Sequence, residues 1–313
     1  MANLLPSSID NLELYRPFSK IRLIAVDLDG TLLESNESEL PEKILSFANK
    51  FKNSNIKIII ATGRTLSGAE HLIAKLPIKN GTPIILYNGS VIIKKKYKYG
   101  KDCQILKKYK PIHQEKISNE SMIRVVQISS KFRVKVIAYC CKWFGEDDFE
   151  EHAIGWSSVD KPYKEYNFMP VKWLEWSEID KSISPSAVVI HTLGNTQVMA
   201  DISKSLKGIA DISFTHGSTY IEVKPINCNK GEALKIVANI LGLTREQILG
   251  IGDNDNDAEM LSWSGIGVSV ETASEEAKKC SDYVARRGVL DGAIEALKTV
   301  IHARRYKEEL NKL

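Results

Sequence analysis

The stretch "GIGDNDNDAEML", residues 250–261, places Asp253, Asp255, Asp257 and Glu259 within seven residues. The apolar pair Ile248-Leu249 and then Gly250-Ile251-Gly252 run directly into it. A short apolar run that meets turn-forming and acidic residues reads as a buried strand ending in a charged loop. Two carboxylates ~4 Å apart repel by ~4 kcal/mol at an effective dielectric near 20. A folded chain that gathers such charge at a strand end needs a positive partner.

Four further runs share the character of the first. They are Ile21–Val26, Ile56–Ala61, Pro83–Tyr87 and Ile266–Val270, alongside Gln247–Ile251 itself. Near-continuous apolar character suits parallel strands covered on both faces. Between the strands the spacing predicts helices over Pro41–Lys52, Ser67–Lys75, Lys230–Leu241, Asn256–Trp263 and Ser274–Lys279. This alternation implies βαβ units and a Rossmann-like, doubly wound parallel α/β sheet.

The middle of the chain differs. Residues 108–226 hold four of the five tryptophans. Strands are predicted there over Lys131–Ala138, Ala187–Thr192 and Thr219–Val223, and helices over Ser118–Ser130 and Gln197–Leu206. The βα alternation resumes afterwards, so this part reads as an inserted α+β cap domain. The expected division is an N-terminal extension over 1–20, a core over 21–107 plus 227–313, and a cap over 108–226. The tail over Ala293–Leu313 reads as a charged surface helix, and the runs Lys94-Lys95-Lys96 and Lys107-Lys108 as solvated faces.

Composition narrows the class. A chain of 313 residues with 43% hydrophobic and 26% charged residues has the apolar mass for sizeable cores. Its length suits about two domains. The net charge of +4 is too small to argue for a nucleic-acid partner. No apolar run approaches the ~18 residues of a membrane span, and the first 20 residues lack a signal pattern. Five cysteines without a C-x-x-C spacing read as reduced thiols, so the expected location is the cytoplasm. The sequence sets no oligomeric state.

The residues after each strand carry the chemistry. Val26 leads into Asp27-Leu28-Asp29-Gly30-Thr31, Ala61 into Thr62-Gly63-Arg64, Tyr87 into Asn88-Gly89, and Ile251 into Gly252-Asp253. Ligands of open parallel α/β sheets bind beyond the carboxyl ends of the strands. These groups are therefore expected to converge on one crevice, made acidic by Asp27, Asp29, Asp253 and Asp257. Oxygen ligands with no His or Cys nearby suit Mg²⁺, which is held by one or two carboxylates, waters and a substrate phosphate. That cation is the expected positive partner. Thr31, Thr62, Asn256 and glycine-flanked amides such as that of Gly63 supply the donors a phosphate requires. A calcium EF-hand loop is rejected, because its sixth and twelfth positions hold Ala258 and Ser264 in place of Gly and Glu. Glu259 needs no reason beyond an acidic helix start.

The stretches "AVDLDGTLLE" (25–34), "ATGR" (61–64), "LYNGS" (86–90), "NKGEAL" (229–234) and "GIGDNDNDAEML" occur in that order. Together with "SDYVARRGVLDGAIEAL" (281–297) they resemble the haloacid-dehalogenase-like phosphatase superfamily. Within it they are similar to Cof-type members, whose cap lies between the second and third motifs. The resemblance implies that Asp27 is the nucleophile forming an aspartyl-phosphate and that Asp29 is the general acid/base. It implies that Thr62 and Lys230 bind the phosphoryl oxygens and that Asn256 reaches the phosphate. Asp253 would ligate Mg²⁺ with Asp27 and the main-chain carbonyl of Asp29, and Asp257 would support the metal shell.

The implied function is a Mg²⁺-dependent phosphatase acting on a small soluble phosphomonoester, most plausibly a sugar phosphate. The alternatives are a phosphotransferase or phosphomutase on the same scaffold, and a non-enzymatic regulator that binds a phosphorylated metabolite. The chain departs from its relatives at Glu271-Thr272-Ala273, where a Gly-Asn-Ala turn is common. Asn88 either shapes the turn before Gly89 or touches ligand. Glu222, the one acidic residue of its strand, either binds a substrate hydroxyl or is a solvated edge residue. Arg64 reads as a local structural residue, Cys228 as small filler, and Trp156, Trp173 and Trp176 as cap core.

Overall fold

The computed structural model describes residues 2–7, 12–34, 38–99, 105–144, 148–159, 169–179, 182–214 and 220–310. The first strands are β1 (Asn3–Leu4), β2 (Leu23–Val26), β3 (Lys57–Ile60), β4 (Pro83–Leu86) and β5 (Val91–Tyr99). Then come β6 (Ile105–Gln114), β7 (Lys135–Phe144), β8 (Asp148–Ser157), β9 (Val171–Leu174) and β10 (Ala187–His191). β11 (Asp211–Phe214), β12 (Tyr220–Lys224), β13 (Ile248–Gly252), β14 (Ile266–Ser269) and β15 (Tyr283–Val284) follow. The helices are α1 (Glu42–Asn49), α2 (Leu66–Ile73), α3 (Asn119–Ser129) and α4 (Thr196–Leu206). α5 (Lys230–Leu241), α6 (Ala258–Trp263), α7 (Glu275–Cys280) and α8 (Val289–Leu310) complete them.

Strands β2 and β13 are apolar and buried at every residue, as a strand covered on both faces must be. They pair in parallel, Ile24 opposite Leu249 and Val26 opposite Ile251. The sheet order is β1-β15-β14-β13-β2-β3, and every pairing in it is parallel. From β2 the chain moves outward to β3; from β13 it moves the other way to β14 and β15. The β2/β13 pair is therefore the switch point of a doubly wound sheet, where a crevice opens beyond the strand ends.

The chain forms two compact units. The first comprises Met1–Thr62, His71–Ile84 and Asn229–Leu313, and the second Gly63–Glu70 and Ile85–Cys228. In the first, Leu5 and Phe18 are fully buried and β1 pairs with β15, so the segment ahead of β2 contributes to the core. The second unit contains a sheet in the order β11-β12-β10-β7-β8-β9, antiparallel except for β8 with β9. Val136, Trp156, Val188 and Ile190 of that sheet share one apolar cluster with Met122 and Val126 of α3 and Ile202 and Leu206 of α4. Trp176 packs against the same cluster.

Several expectations change. Pro83–Leu86 is absent from the parallel sheet; it belongs to a three-stranded sheet in the order β4-β5-β6. A short buried apolar run looks the same in either sheet, and the brief link through Tyr87–Gly89 delivers β5 beside it. β5 pairs along its length with β6, which groups 85–107 with the second unit, where the sequence reading placed them with the first. Lys95 is 2% exposed and not a solvated residue, because it sits within β5. β7 starts later than predicted, since residues 131–133 form a turn, and α8 starts earlier, at Val289. Thr219 and residues 311–313, predicted as strand and helix ends, lie outside the described residues.

One side chain organises much of the second unit's polar structure. Glu151 of β8 accepts hydrogen bonds from the Leu66 and Ser67 amides, both at 2.7 Å. It also accepts from the hydroxyls of Ser67 and Tyr87, both at 2.6 Å. The first N–H groups of a helix have no intrahelical partner. Glu151 satisfies two of them for α2, and the Thr65 hydroxyl takes a third from Gly68 at 2.9 Å. Charge-assisted bonds of this kind are the strong ones. Glu151→Ala should lower stability by about 1–3 kcal/mol, the cost of orphaned polar groups. In hydrogen exchange, the Leu66 and Ser67 amides should lose protection selectively. Unchanged denaturation and exchange would show that Glu151 does not hold the start of α2.

Candidate active site

The carboxyl ends of β2 and β13 place their acidic residues side by side. The Asp27 amide donates to the Ile251 carbonyl at 3.0 Å, extending the pairing by one residue. Asp27 is 4% exposed. Asn229 caps α5 by accepting from the Glu232 amide at 2.8 Å, which makes Lys230 the first helical residue. The Lys230 side chain is fully buried, and its Nζ donates to Asp27 Oδ1 at 2.8 Å and to Asp257 Oδ1 at 2.7 Å. Asp257 uses its second oxygen to accept from the amides of Asp253 and Asn254, at 3.0 and 3.1 Å. Thr31 Oγ1 donates to Asp253 Oδ1 at 2.7 Å.

Two glycines make room for this packing. Gly30 has φ +80°, and a Cβ there would lie 2.1 Å from Asp253 Oδ2. A Cβ on Gly252 would lie 2.5 Å from the Asp257 carboxyl carbon. The glycines flanking the acidic motifs therefore admit carboxylates where a side chain would exclude them.

One oxygen from each of Asp27, Asp253 and Asp257 lies within 4.8 Å of the others. Burial raises the Asp27 carboxyl well above its usual range; Lys230 opposes this, while Asp257, Asp253 and Asp29 add to it. Burial, then the Asp257 charge, pushes Asp253 up to about 7, against the Thr31 hydrogen bond and Lys230. Burial alone would lower the Lys230 ammonium, but Asp257 and Asp27 outweigh it and the group is raised. Three carboxylates thus share one ammonium. Two negative charges remain unmatched when all are ionised, and a hard divalent cation with oxygen ligands fits that deficit.

The remaining expected residues fall into two sets. In the first unit, Asp29 is exposed, and its carboxylate is outside the three-residue cluster. Thr62 is fully buried just beyond β3, and Asn256 lies in the 3₁₀ turn that precedes α6. In the second unit, Gly63, Asn88 and Glu222 come together. Asn88 Nδ2 donates to Glu222 Oε2 at 2.6 Å, and a Cβ on Gly63 would sit 2.9 Å from that nitrogen. Ser213 Oγ donates to the same Glu222 oxygen at 3.3 Å. β12 lies between β11 and β10, so Glu222 is half-buried on an interior strand, and the solvated-edge alternative does not hold. Asn88 has φ +53°, a left-handed turn conformation that Asn tolerates.

Other residues settle into structural roles. Arg64 donates to the Gly68 carbonyl at 3.1 Å. Cys228 is buried, contacts Ser90 Oγ at 3.4 Å, and has its thiol pushed up by burial, which suits filler and not a nucleophile. Asp255 accepts from Ser274 Oγ at 2.6 Å. In the divergent turn, Thr272 Oγ1 accepts from the Val289 amide at 3.3 Å and so serves the start of α8. Glu151 and Tyr87 were missed by the sequence reading. Glu151 sits 85 residues from Leu66 in an alternating strand, and nothing local marks it.

Comparison with known proteins follows the same lines. The sequence profile of haloacid dehalogenase-like hydrolases matches residues 24–297. The chain is 24% identical over 279 residues to the 5-amino-6-(5-phospho-D-ribitylamino)uracil phosphatase of Bacillus subtilis, spanning 89% of this chain and 95% of that one. It is 24% identical over 287 residues to a phosphoglycolate phosphatase of Methanobrevibacter smithii, spanning 90% and 99%. Among solved structures, a sugar phosphatase of subclass IIB superposes with a TM-score of 0.67 at 18% identity, covering 90% of this chain and 98% of that one. Among the described residues, no helix is long and apolar enough to cross a membrane. The chain belongs to the haloacid dehalogenase-like hydrolase family, among its phosphatases.

Proposed function

We propose that the protein is a Mg²⁺-dependent phosphatase that hydrolyses a small soluble phosphomonoester, a sugar phosphate by class, through an aspartyl-phosphate. The observation that carries this reading is the buried Lys230 ammonium shared by Asp27 and Asp257, beside the unmatched charge of Asp253. Phosphoryl transfer is mostly positioning and charge stabilisation. Asp27, Asp253 and the Asp29 carbonyl would hold Mg²⁺, whose charge offsets repulsion between the carboxylate and a phosphate dianion. Asp257 supports that shell while fixing Lys230 and the amides of residues 253 and 254.

In the first step an oxygen of Asp27 bonds to phosphorus as the bond to the leaving oxygen breaks. Asp29, exposed and two residues along, gives its proton to the leaving alkoxide. In the second step Asp29 takes a proton from water. The water oxygen attacks the same phosphorus, the acyl phosphate bond breaks, and Asp27 is regenerated with release of inorganic phosphate. A covalent intermediate divides one hard step into two easier ones. Thr62, the Gly63 amide, Lys230 and Asn256 are assigned to the phosphoryl oxygens, and Asn88 and Glu222 to hydroxyls of the substrate. The two phosphatase relatives named above act on different substrates, so family membership leaves the specificity to residues of the latter kind.

Release of inorganic phosphate from a chromogenic aryl phosphate, with and without Mg²⁺, is the direct test. A mutase would release little and a regulator none. Asp27→Asn should cut turnover by more than about 10³-fold, since an amide cannot attack phosphorus. Its thermal midpoint should hold or rise, because burial already disfavours the charged form of Asp27, and Lys230 keeps the Asp257 carboxylate as its ionic partner. Wild-type-like turnover in the folded variant would remove Asp27 as the nucleophile.

Chelation should stop phosphate release, and Mg²⁺ should restore it. Independently of activity, Mg²⁺ at a hundred times its dissociation constant should stabilise the wild type by about 2.7 kcal/mol. Asp253→Ala should abolish that increment. Full activity in chelator, or an undiminished increment in the variant, would count against the metal assignment.

Glu222→Ala should lower kcat/KM for a sugar phosphate by about 10–100-fold, the range set by loss of one or two hydrogen bonds to a charged group. A small aryl phosphate, which offers no hydroxyls, should lose far less. Equal losses on both substrates would reduce Glu222 to a holder of the Asn88 turn.

A further inference from the structure

The Gly63 amide and the Asn88 side chain, both assigned above to the substrate, sit on two turns of the second unit that lean on each other. A Cβ on Gly63 would lie 2.9 Å from Asn88 Nδ2, and the Tyr87 amide donates to the Arg64 carbonyl at 3.1 Å. The second of these turns is strained. Tyr87 has φ +52° and Asn88 φ +53°, and a bulky aromatic residue rarely adopts that left-handed conformation. Such a conformation persists only where its surroundings hold it.

Glu151 holds both turns. Its Oε1 accepts from the Tyr87 hydroxyl at 2.6 Å and from the Leu66 amide at 2.7 Å, so a single oxygen joins one turn to the other. Its Oε2 accepts from the amide and the hydroxyl of Ser67, at 2.7 and 2.6 Å. Charge-assisted bonds are short and directional, and four of them on one carboxylate leave it little freedom to shift. The anchor is itself fixed, because β8 pairs with β7 over its whole length. A group carried on a paired strand is placed more precisely than one on a loop.

We propose that Glu151 is a positioning residue for phosphoryl transfer: by joining the turn after Gly63 to Tyr87, it sets where the Gly63 amide meets the phosphoryl oxygens. This inference rests on the phosphatase reading given above. The role differs from that of Glu222, which is assigned to hydroxyls and so matters only for esters that carry them. Donors fixed on a transferring phosphoryl group act mainly in the transition state. A displaced donor therefore lowers kcat more than it raises KM, and it does so whatever alcohol leaves.

The test uses Glu151→Gln in the whole protein with p-nitrophenyl phosphate, which has no hydroxyl to recognise. Gln keeps the shape but offers one acceptor oxygen. A hydroxyl can turn to accept from the new NH₂ group and a backbone N–H cannot, so either the Leu66 or the Ser67 amide loses its partner. Rates are measured with Mg²⁺ well below the variant's thermal midpoint, where circular dichroism shows it fully folded. There kcat should fall about 10–100-fold, with KM within about threefold of the wild type, since small misplacements of a positioned group cost rates of that order. Tyr87→Phe, which cuts only the link between the two turns, should lower kcat by a smaller factor, and it decides the matter if Glu151→Gln fails to fold. A role in stability alone would lower the midpoint and leave kcat unchanged. Unchanged kcat in the folded variant, whether or not KM moves, would overturn the proposal while leaving the phosphatase reading intact. A wild type that releases no phosphate would overturn both.

Discussion

The buried ammonium of Lys230 is the constraint around which the first unit is arranged. It has no exposure, and it donates to two carboxylates that are themselves almost wholly buried. Taking one ion out of water costs several kcal/mol even after relaxation, and removing one partner of a buried pair typically costs about 3–5 kcal/mol. The pair is not there for stability, because well-packed apolar residues would serve that end as well or better. What it provides is a carboxylate fixed at a strand end. Asp27 cannot turn away from the crevice without abandoning Lys230. Asp257 cannot follow it, because its other oxygen holds the loop amides of residues 253 and 254.

The rest of the first unit can be understood as what that arrangement requires. Three chain segments must meet at one point: the end of β2, the end of β13 and the start of α5. The parallel pairing of β2 with β13 brings two of them together in register. The Asn229 cap sets the third, because it fixes which residue of α5 comes first. Glycine at positions 30 and 252 lets the acidic side chains approach where a Cβ would collide with them. The burial that makes the site rigid also raises Asp27 and Asp253, so the protein alone is poorly matched to its own charge. That mismatch would favour a bound cation.

This division explains which parts were legible in the sequence. Asp27, Asp253 and Asp257 follow apolar runs that read as buried strands, so they could be placed from their neighbours. Lys230 opens a predicted helix, and only the resemblance of "NKGEAL" to a family motif marks it out from an ordinary surface lysine. Pro83–Leu86 was assigned to the wrong sheet because its sequence specifies burial but not partners. The run Lys94-Lys95-Lys96 reads as a solvated face because a basic run carries no sign of which member points inward, and Lys95 is the buried one. Glu151 was invisible for a related reason. Its four hydrogen bonds all go to residues at least 64 positions away, and its own strand shows only alternation.

The two halves of the molecule are therefore constrained by different physics. In the first unit the charges determine one another: altering one carboxylate of the cluster changes the charge state favoured by the rest. In the second unit the polar side chains act as tethers to turns. Glu151 holds the segment after Thr62, and Glu222 accepts a hydrogen bond from Asn88 in its left-handed turn. Each of these bonds needs only an acceptor at the right place, with no charge balance shared among neighbours. A scaffold built in this way would let the substrate change apart from the phosphoryl chemistry, and two phosphatases that share about a quarter of their residues with this chain do act on dissimilar phosphate esters.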